Sequence, residues 1–406
     1  MNVTEDSIFP WSELFSERAL RIKSSAIREL LKVTEQEGFI SFAGGFPAPE
    51  LFPVPEVSET ISKILKDQGE QALQYSATEG YRPLREWAAR KLQKMGVPAT
   101  VENVLITTGS QQALDLIGKV LIDEKDPVAV ETPTYLAALQ AWRVYGADFM
   151  EVPLDDDGLC PDYLINELPT RPKVLYTIPN FQNPTGATMS QPRREAVVSW
   201  AQSQGVCIVE DDPYGELRFE GETPPRLIQL EAQSRQDDSY AGSVVYLNTF
   251  SKVLAPGLRV GAVVAHPQVI SKLVQAKQAS DLHTPTLNQM ACYELAKQGF
   301  LKSQAQRVAD VYRERRDVMM KEVFRLFPEG TKVITPQGGM FLWVSLPEEY
   351  NATELWEKAL THKVAFVPGR PFYPCKAIDH TLRLNFSNSN PEQIYEGMRR
   401  LSLAFQ

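Results

Sequence analysis

Short apolar runs separated by amphipathic stretches dominate the first two thirds of the chain. The runs are VLITT (104–108), PVAVET (127–132), Phe149 to Val152, VLYTIP (174–179), VCIVED (206–211), VVYLNTF (244–250) and GAVVA (261–265). They are rich in Val and Ile and lack period-two alternation, as strands buried on both faces do. Helical patterns fall between and around them, at Val57–Gln68, Tyr81–Met95, Gln111–Ile122 and Tyr135–Tyr145. Strands alternating with helices predict a mostly parallel α/β sheet covered on both faces.

Before these elements, the first ~50 residues read as an arm. It has a short amphipathic helix at Ala26–Lys32 and a Gly/Pro-rich segment, FAGGFPAPELFPVPE (42–56), that forbids a regular element. After them, one long helical stretch is expected from Val269 to Phe327, including YRERR (312–316), whose charges predict a solvated face. GMFLWVSL, VAFVPG and LRLNFS then read as strands of a smaller α+β unit. The expected division is an arm over 1–50 packed with the small domain and active site, a large domain over 51–295 and a small domain over 296–406.

Composition narrows the function classes. A net charge of −9, from 42 Lys and Arg against 51 Asp and Glu, with no dense basic run, argues against a nucleic-acid binder. The cysteines Cys160, Cys207, Cys292 and Cys375 are scattered with no C-x-x-C pair, so a zinc ribbon or disulfide framework is not expected. The four histidines have no metal-ligand spacing either, and no metal is expected. The acidic start of the chain does not read as a signal peptide, and no apolar stretch approaches the ~18 residues of a membrane span. A cytoplasmic protein with no membrane partner is the expectation.

The chemistry clusters at strand ends. Lys252 follows a strand, amid Thr249, Ser251 and Arg259 in TFSKVLAPGLRVG. Nearby cations and desolvation favour a neutral amine able to form a Schiff base, and two hydroxyls beside an arginine suit a phosphate. A solvated lysine is the plain alternative. In TTGSQQALDL, Ser110 and Gln111 begin a helix, where backbone N–H groups and the dipole attract phosphate; Ser110 is equally a good N-cap. Asp211 and Asp212, in VEDDPYGEL, are costly at a buried strand end unless a cation meets one of them. A protonated pyridine nitrogen is such a cation, and Tyr214 and Asn183 (in PNFQNPTG) can donate to a phenolic oxygen on the same ring. Each segment alone also reads as a turn or cap. Together they meet the requirements of pyridoxal 5′-phosphate (PLP), at the strand ends where an open α/β sheet holds its ligand.

The chain resembles the fold-type I PLP-dependent aminotransferases of class I/II, and within them the 2-aminoadipate and kynurenine/aminoadipate group. The likeness runs through SSAIRELL, SFAGGFPAPELFP, QYSATEGYRPLR, ITTGSQQALDL, FQNPTG, VEDDPYGEL, FSKVLAPGLRVG, KLVQAKQASDLHTPTLNQM, GGMFLWV, VAFVPG and LRLNFS. It implies a large domain with a mostly parallel seven-stranded sheet and a smaller α+β domain. It also implies that Lys252 bonds the cofactor and moves the substrate proton, that Asp211 pairs with the ring nitrogen, and that Asn183 and Tyr214 hold the phenolic oxygen. Tyr135 would stack on the ring. Ser110, Gln111, Thr249, Ser251 and Arg259 would hold the phosphate, with Tyr75 reaching across from the other subunit of a homodimer whose active sites are shared. Thr249 stands where serine is usual and keeps the hydroxyl.

Arg383 matches the arginine that binds the substrate α-carboxylate, and Arg28 the mobile-helix arginine that meets an acidic side chain. Gly44 and Gly45 match a turn that brings the arm to the substrate, and Phe46 replaces a usual aliphatic residue there. The implied reaction is ping-pong transamination from 2-aminoadipate, glutamate, leucine or an aromatic amino acid to a 2-oxo acid such as 2-oxoglutarate. A lyase or decarboxylase on the same fold would share Lys252 and Asp211; a non-catalytic PLP-sensing protein is a third reading.

Overall fold

Each apolar run becomes a strand, because a Val/Ile-rich segment bounded by turn residues satisfies its backbone only by pairing. The computed structural model describes residues 11–22, 36–235 and 237–406. The helix expected at Ala26–Lys32, and Arg28 with it, lie outside the described residues.

The strands in chain order are β1 (Ile40–Ser41), β2 (Val104–Thr107), β3 (Pro127–Thr132), β4 (Asp148–Asp155), β5 (Gly158–Leu159), β6 (Val174–Thr177) and β7 (Cys207–Asp211). They continue with β8 (Val244–Thr249), β9 (Gly261–Val264), β10 (Lys332–Val333), β11 (Phe341–Ser345), β12 (Val364–Ala365), β13 (Val367–Pro368) and β14 (Thr381–Asn385). The large sheet runs β2-β9-β8-β7-β6-β3-β4-β5. Neighbours from β8 to β4 are parallel, whereas β9 pairs antiparallel with both β2 and β8. The seven expected strands are joined by an eighth, the two-residue β5, which folds back on β4 at the edge.

From β3 the chain moves out to β4 and then returns to the other side of β3 for β6, β7 and β8. This reversal is a topological switch point, and it opens a crevice beyond the carboxyl ends of β3 and β6. Helices seal both faces. Leu114, Ile117, Leu139 and Trp142 pack on one side of the sheet, and Val197, Ala201, Leu227 and Leu295 belong to the cluster on the other.

The small unit is an antiparallel sheet in the order β10-β11-β14-β13. The arm joins it: β1 pairs parallel with β12, and Asn385 N donates to Phe42 O at 2.8 Å.

Two expectations need correction. The stretch from Val269 to Phe327 is three helices, Pro267–Gln278, Thr286–Lys297 and Phe300–Leu326. The loop ending in Pro285 and the left-handed Gly299 (φ 77°) break it, as residues without a free helical geometry do. The segment YRERR is not a solvated face. Tyr312, Arg315 and Arg316 are buried, on the i, i+3, i+4 stripe that faces the rest of the chain. Tyr312 accepts from Ala48 N at 2.9 Å, Arg315 pairs with Glu50, and Arg316 pairs with Glu220 at 2.6 Å and lies over the Phe219 ring. Among the described residues, no helix is long and apolar enough to cross a membrane.

Candidate active site

The carboxyl ends of β2, β3, β6, β7 and β8 deliver their following residues into one cleft of about 450 Å³. Ser110 and Gln111 arrive after β2, Tyr135 after β3, Asn183 after β6, Asp211 and Tyr214 at and after β7, and Thr249, Ser251 and Lys252 at and after the end of β8. Arg259 enters just before β9, Arg383 from β14 of the small sheet, and Gly45 and Phe46 from the arm. Tyr75 does not line this cleft; it is 78% exposed on the surface, edge-on to His283 at 5.9 Å.

The Lys252 amine donates to Gly45 O at 2.9 Å. Withdrawal from water, reinforced by the Arg383 and Arg259 charges, brings it down to about 8 from an ordinary 10.5. Nucleophilicity needs the neutral amine, so this environment favours covalent chemistry with a carbonyl.

Asp211, which lines the same cleft, is buried. Tyr176 donates to its Oδ2 at 2.9 Å, while Oδ1 has no partner among the described residues. Burial pushes the carboxyl up to about 7; the Tyr176 bond opposes this and the Asp212 charge adds to it. Asp212 itself is held low: burial is outweighed by Arg226 at 2.6 Å, Asn180 at 2.8 Å and Tyr246 at 2.9 Å. Two adjacent aspartates thus differ, one compensated by the protein and one left for a cation in the cleft.

The anion end is equally distinct. Ser110 Oγ is buried with no partner among the described residues, and it does not cap the helix Gly109–Leu121, whose N-cap is Thr108. Gly109 has φ +74°, and a Cβ built on it would come within 2.6 Å of Arg259 Nη2. Arg259 is itself left-handed (φ 53°), its fork held by Thr108 O at 3.2 Å. Thr249 Oγ1 and Ser251 Oγ lie 2.9 Å apart and line the same cleft. A helix N-terminus, hydroxyls and a guanidinium make a phosphate cup.

Between the two ends stand Tyr135 and Tyr214, both raised by burial, Tyr135 to about 12. Asn183 Nδ2 donates to the Tyr214 hydroxyl at 3.3 Å. Arg383 is buried over the rings of Phe341 (4.2 Å) and Phe372 (5.0 Å), and burial lowers it to about 10. Its Nη1 and Nη2 donate to Asn183 Oδ1 and Ala43 O, and its Nε has no partner among the described residues. The residues present fit PLP: an orphaned carboxylate oxygen for the ring nitrogen, a cup for the phosphate and a lysine amine in the same cleft.

Sequence reading missed Tyr176, Phe341 and the helix residues Leu136, Ala137 and Gln140, which line the cleft or support it. A tyrosine inside an apolar strand carries no mark that distinguishes it from core. The helix residues follow Tyr135 at i+1, i+2 and i+5, a spacing that signals a shared mouth only once Tyr135 is placed.

Known proteins resemble this chain over nearly its whole length. The family described as aminotransferase class I and II matches residues 40–401. The 2-aminoadipate transaminase of Thermus thermophilus is 48% identical, covering 98% of this chain and 97% of its own. Aromatic-amino-acid aminotransferase 1 of Thermococcus litoralis is 43% identical, covering 97% and 94%. Among solved structures, LysN, an α-aminoadipate aminotransferase of Thermus thermophilus complexed with N-(5′-phosphopyridoxyl)-L-leucine, superposes with a TM-score of 0.90 at 47% identity over 98% of both chains. The chain belongs to the class I and II aminotransferases.

Proposed function

We propose that this PLP-dependent aminotransferase moves the amino group of an acidic L-amino acid, 2-aminoadipate or glutamate, to a 2-oxo acid such as 2-oxoglutarate, with leucine and aromatic amino acids as further donors. The cycle is ping-pong: the first 2-oxo acid leaves before the second enters. The observation that carries the reading is the pairing, in one cleft, of a lysine amine lowered to about 8 with a buried carboxylate oxygen that lacks a partner among the described residues.

Bound PLP supplies an electron sink for the charge that develops at the substrate Cα. The chain's residues do the rest. The Arg383 guanidinium grips the α-carboxylate as a planar fork, its plane fixed by Phe341, Phe372 and Asn183. With the carboxylate fixed, Lys252 Nζ takes the proton from Cα. Asp211 keeps a negative charge against the ring nitrogen. Asn183 and Tyr214 donate toward the phenolic oxygen, and Tyr135 covers the ring. The phosphate is held by Ser110, Gln111, Thr249, Ser251 and Arg259, and by Tyr75 of the partner subunit in a homodimer. The surface position of Tyr75, outside the cleft of its own chain, supports that last role. Arg28 meets the acidic end of the substrate side chain.

The test is the absorbance spectrum of the purified protein titrated with 2-aminoadipate, glutamate, leucine, phenylalanine and kynurenine. A yellow band bleached by 2-aminoadipate, with the matching 2-oxo acid released and the preference lost in Arg28→Ala, is the expected result. Ammonia or an amine as product would mean a lyase or decarboxylase. No chromophore after incubation with PLP would refute the reading.

A further inference from the structure

Strand β7 ends in Asp211, and Asp212 follows it; the two carboxylates receive unequal support. Asp212 accepts from Arg226, Asn180, Tyr246 and the Gly215 N–H. Asp211 has one donor among the described residues, the Tyr176 hydroxyl. Tyr176 lies on the adjacent strand β6, in register with Val209. Val209 and Asp211 are two residues apart and share a face, so Tyr176 is the diagonal neighbour of Asp211.

The hydroxyl is held firmly. The Tyr176 ring is fully buried and meets the Trp142 indole edge-on at 5.4 Å and 82°. Trp142 is fixed in turn by donating from Nε1 to Leu114 O at 2.8 Å. A phenol carries one hydrogen, and beside an ionised carboxylate it donates that hydrogen. With Tyr176 on Oδ2, Oδ1 is the Asp211 oxygen left without a partner among the described residues, and Asp211 lines the cleft.

We propose that Tyr176 is a positioning residue for the cofactor ring, occupying Asp211 Oδ2 so that Oδ1 is presented, charged, to the ring nitrogen. The inference rests on the PLP reading of the cleft. Tyr176 touches no reacting atom and acts through Asp211. Burial disfavours a charged Asp211, and the Tyr176 bond is the protein's counterweight.

The experiment compares wild type, Y176F, D211N and the double variant. Each is stripped of cofactor and titrated with PLP by absorbance, and the visible band of each reloaded protein is followed against pH. A hydrogen bond to a charged group corresponds to roughly a tenfold effect or more. Y176F is therefore expected to bind PLP at least about tenfold more weakly and to shift the pH profile of the band, while adding little to D211N. Replacing Tyr176 with para-aminophenylalanine keeps a donor at the same reach and should restore both readouts; that replacement also serves if Y176F fails to fold. Unchanged affinity and pH profile in Y176F, or an equal loss in the D211N background, overturns the assignment. A wild type that takes up no PLP overturns the cofactor reading instead.

Discussion

Asn183 Oδ1 accepts a 2.8 Å hydrogen bond from Arg383 Nη1, joining a loop after β6 of the large sheet to β14 of the small one. The other end of the same amide donates to Tyr214 at 3.3 Å. One side chain therefore spaces the carboxylate fork from the ring-oxygen donors.

Losing that spacer should cost transition-state stabilisation rather than the fold. Asn183→Ala is expected to lower kcat/KM roughly 10- to 100-fold, the range for a hydrogen bond to a charged group. Arg383→Lys should fall at least as far, because an ammonium lacks the planar fork. The double variant should lose less than the sum, since the two act as a unit. Steady-state kinetics with a common donor reads all three; strict additivity would contradict the coupling.

The Lys252 amine gives a pH prediction. Its value is lowered to about 8, so it is protonated below that pH and free above it. The rate at which cofactor-free protein captures PLP should rise as pH increases through about 8 and then level off. An inflection near the ordinary lysine value of 10.5 would refute the environment described for this side chain.

Gly109 tests the phosphate cup. Alanine there costs about 1–2 kcal/mol for a left-handed backbone and drives a Cβ into Arg259 Nη2, which lies 2.6 Å from where that atom would be. Gly109→Ala should be modestly less stable in thermal melts. PLP affinity should drop by about tenfold or more as the guanidinium is displaced.

The Asp212–Arg226 pair is structural, and its removal should register in stability. Both partners are buried and 2.6 Å apart. Arg226→Met leaves a buried charge without its counterion, at a cost of about 3–5 kcal/mol. The Asp212 carboxyl is held below its ordinary value, so its contribution is present above about pH 4 and fades as pH falls through the lower folded value. Urea melts should find the difference between wild type and variant wide at neutral pH and narrower in acid.

How legible these features were depended on contrast within the sequence. Asp211 and Lys252 stood out because each lies at the end of an apolar run, where an isolated charge demands a reason. The large sheet was readable for the same cause, its strands being mostly apolar. Arg383 was visible only through the resemblance, since an arginine in LRLNFS is equally an edge-strand residue. Tyr176 was hidden: within VLYTIP its ring is ordinary core, and only the neighbouring strand reveals the hydroxyl's partner. The charges of YRERR do not show which positions face inward; that depends on helices elsewhere, and Glu50 and Glu220 supply partners remote in sequence. The strand expected at 149–152 extends over Asp148–Asp155, because Asp148 and Asp155 sit at its exposed ends and read as loop in the sequence.

The arm meets the machinery through its main chain: Phe42 O takes the Asn385 N–H, Ala43 O takes Arg383 and Gly45 O takes Lys252. A carbonyl is present whatever the side chain, so these attachments use no side chain of the arm, although Phe42 and Ala43 are fully buried and a Cβ at Gly45 would come 3.3 Å from Phe341 Cζ. Phe46, next in line, is held the same way, its carbonyl accepting from Ser387 Oγ at 2.8 Å, while its side chain lines the cleft and the residue is 54% exposed. Selectivity at the mouth is thus free to drift during evolution while the reacting end keeps its geometry, and relatives with different amino-acid preferences can share one catalytic frame.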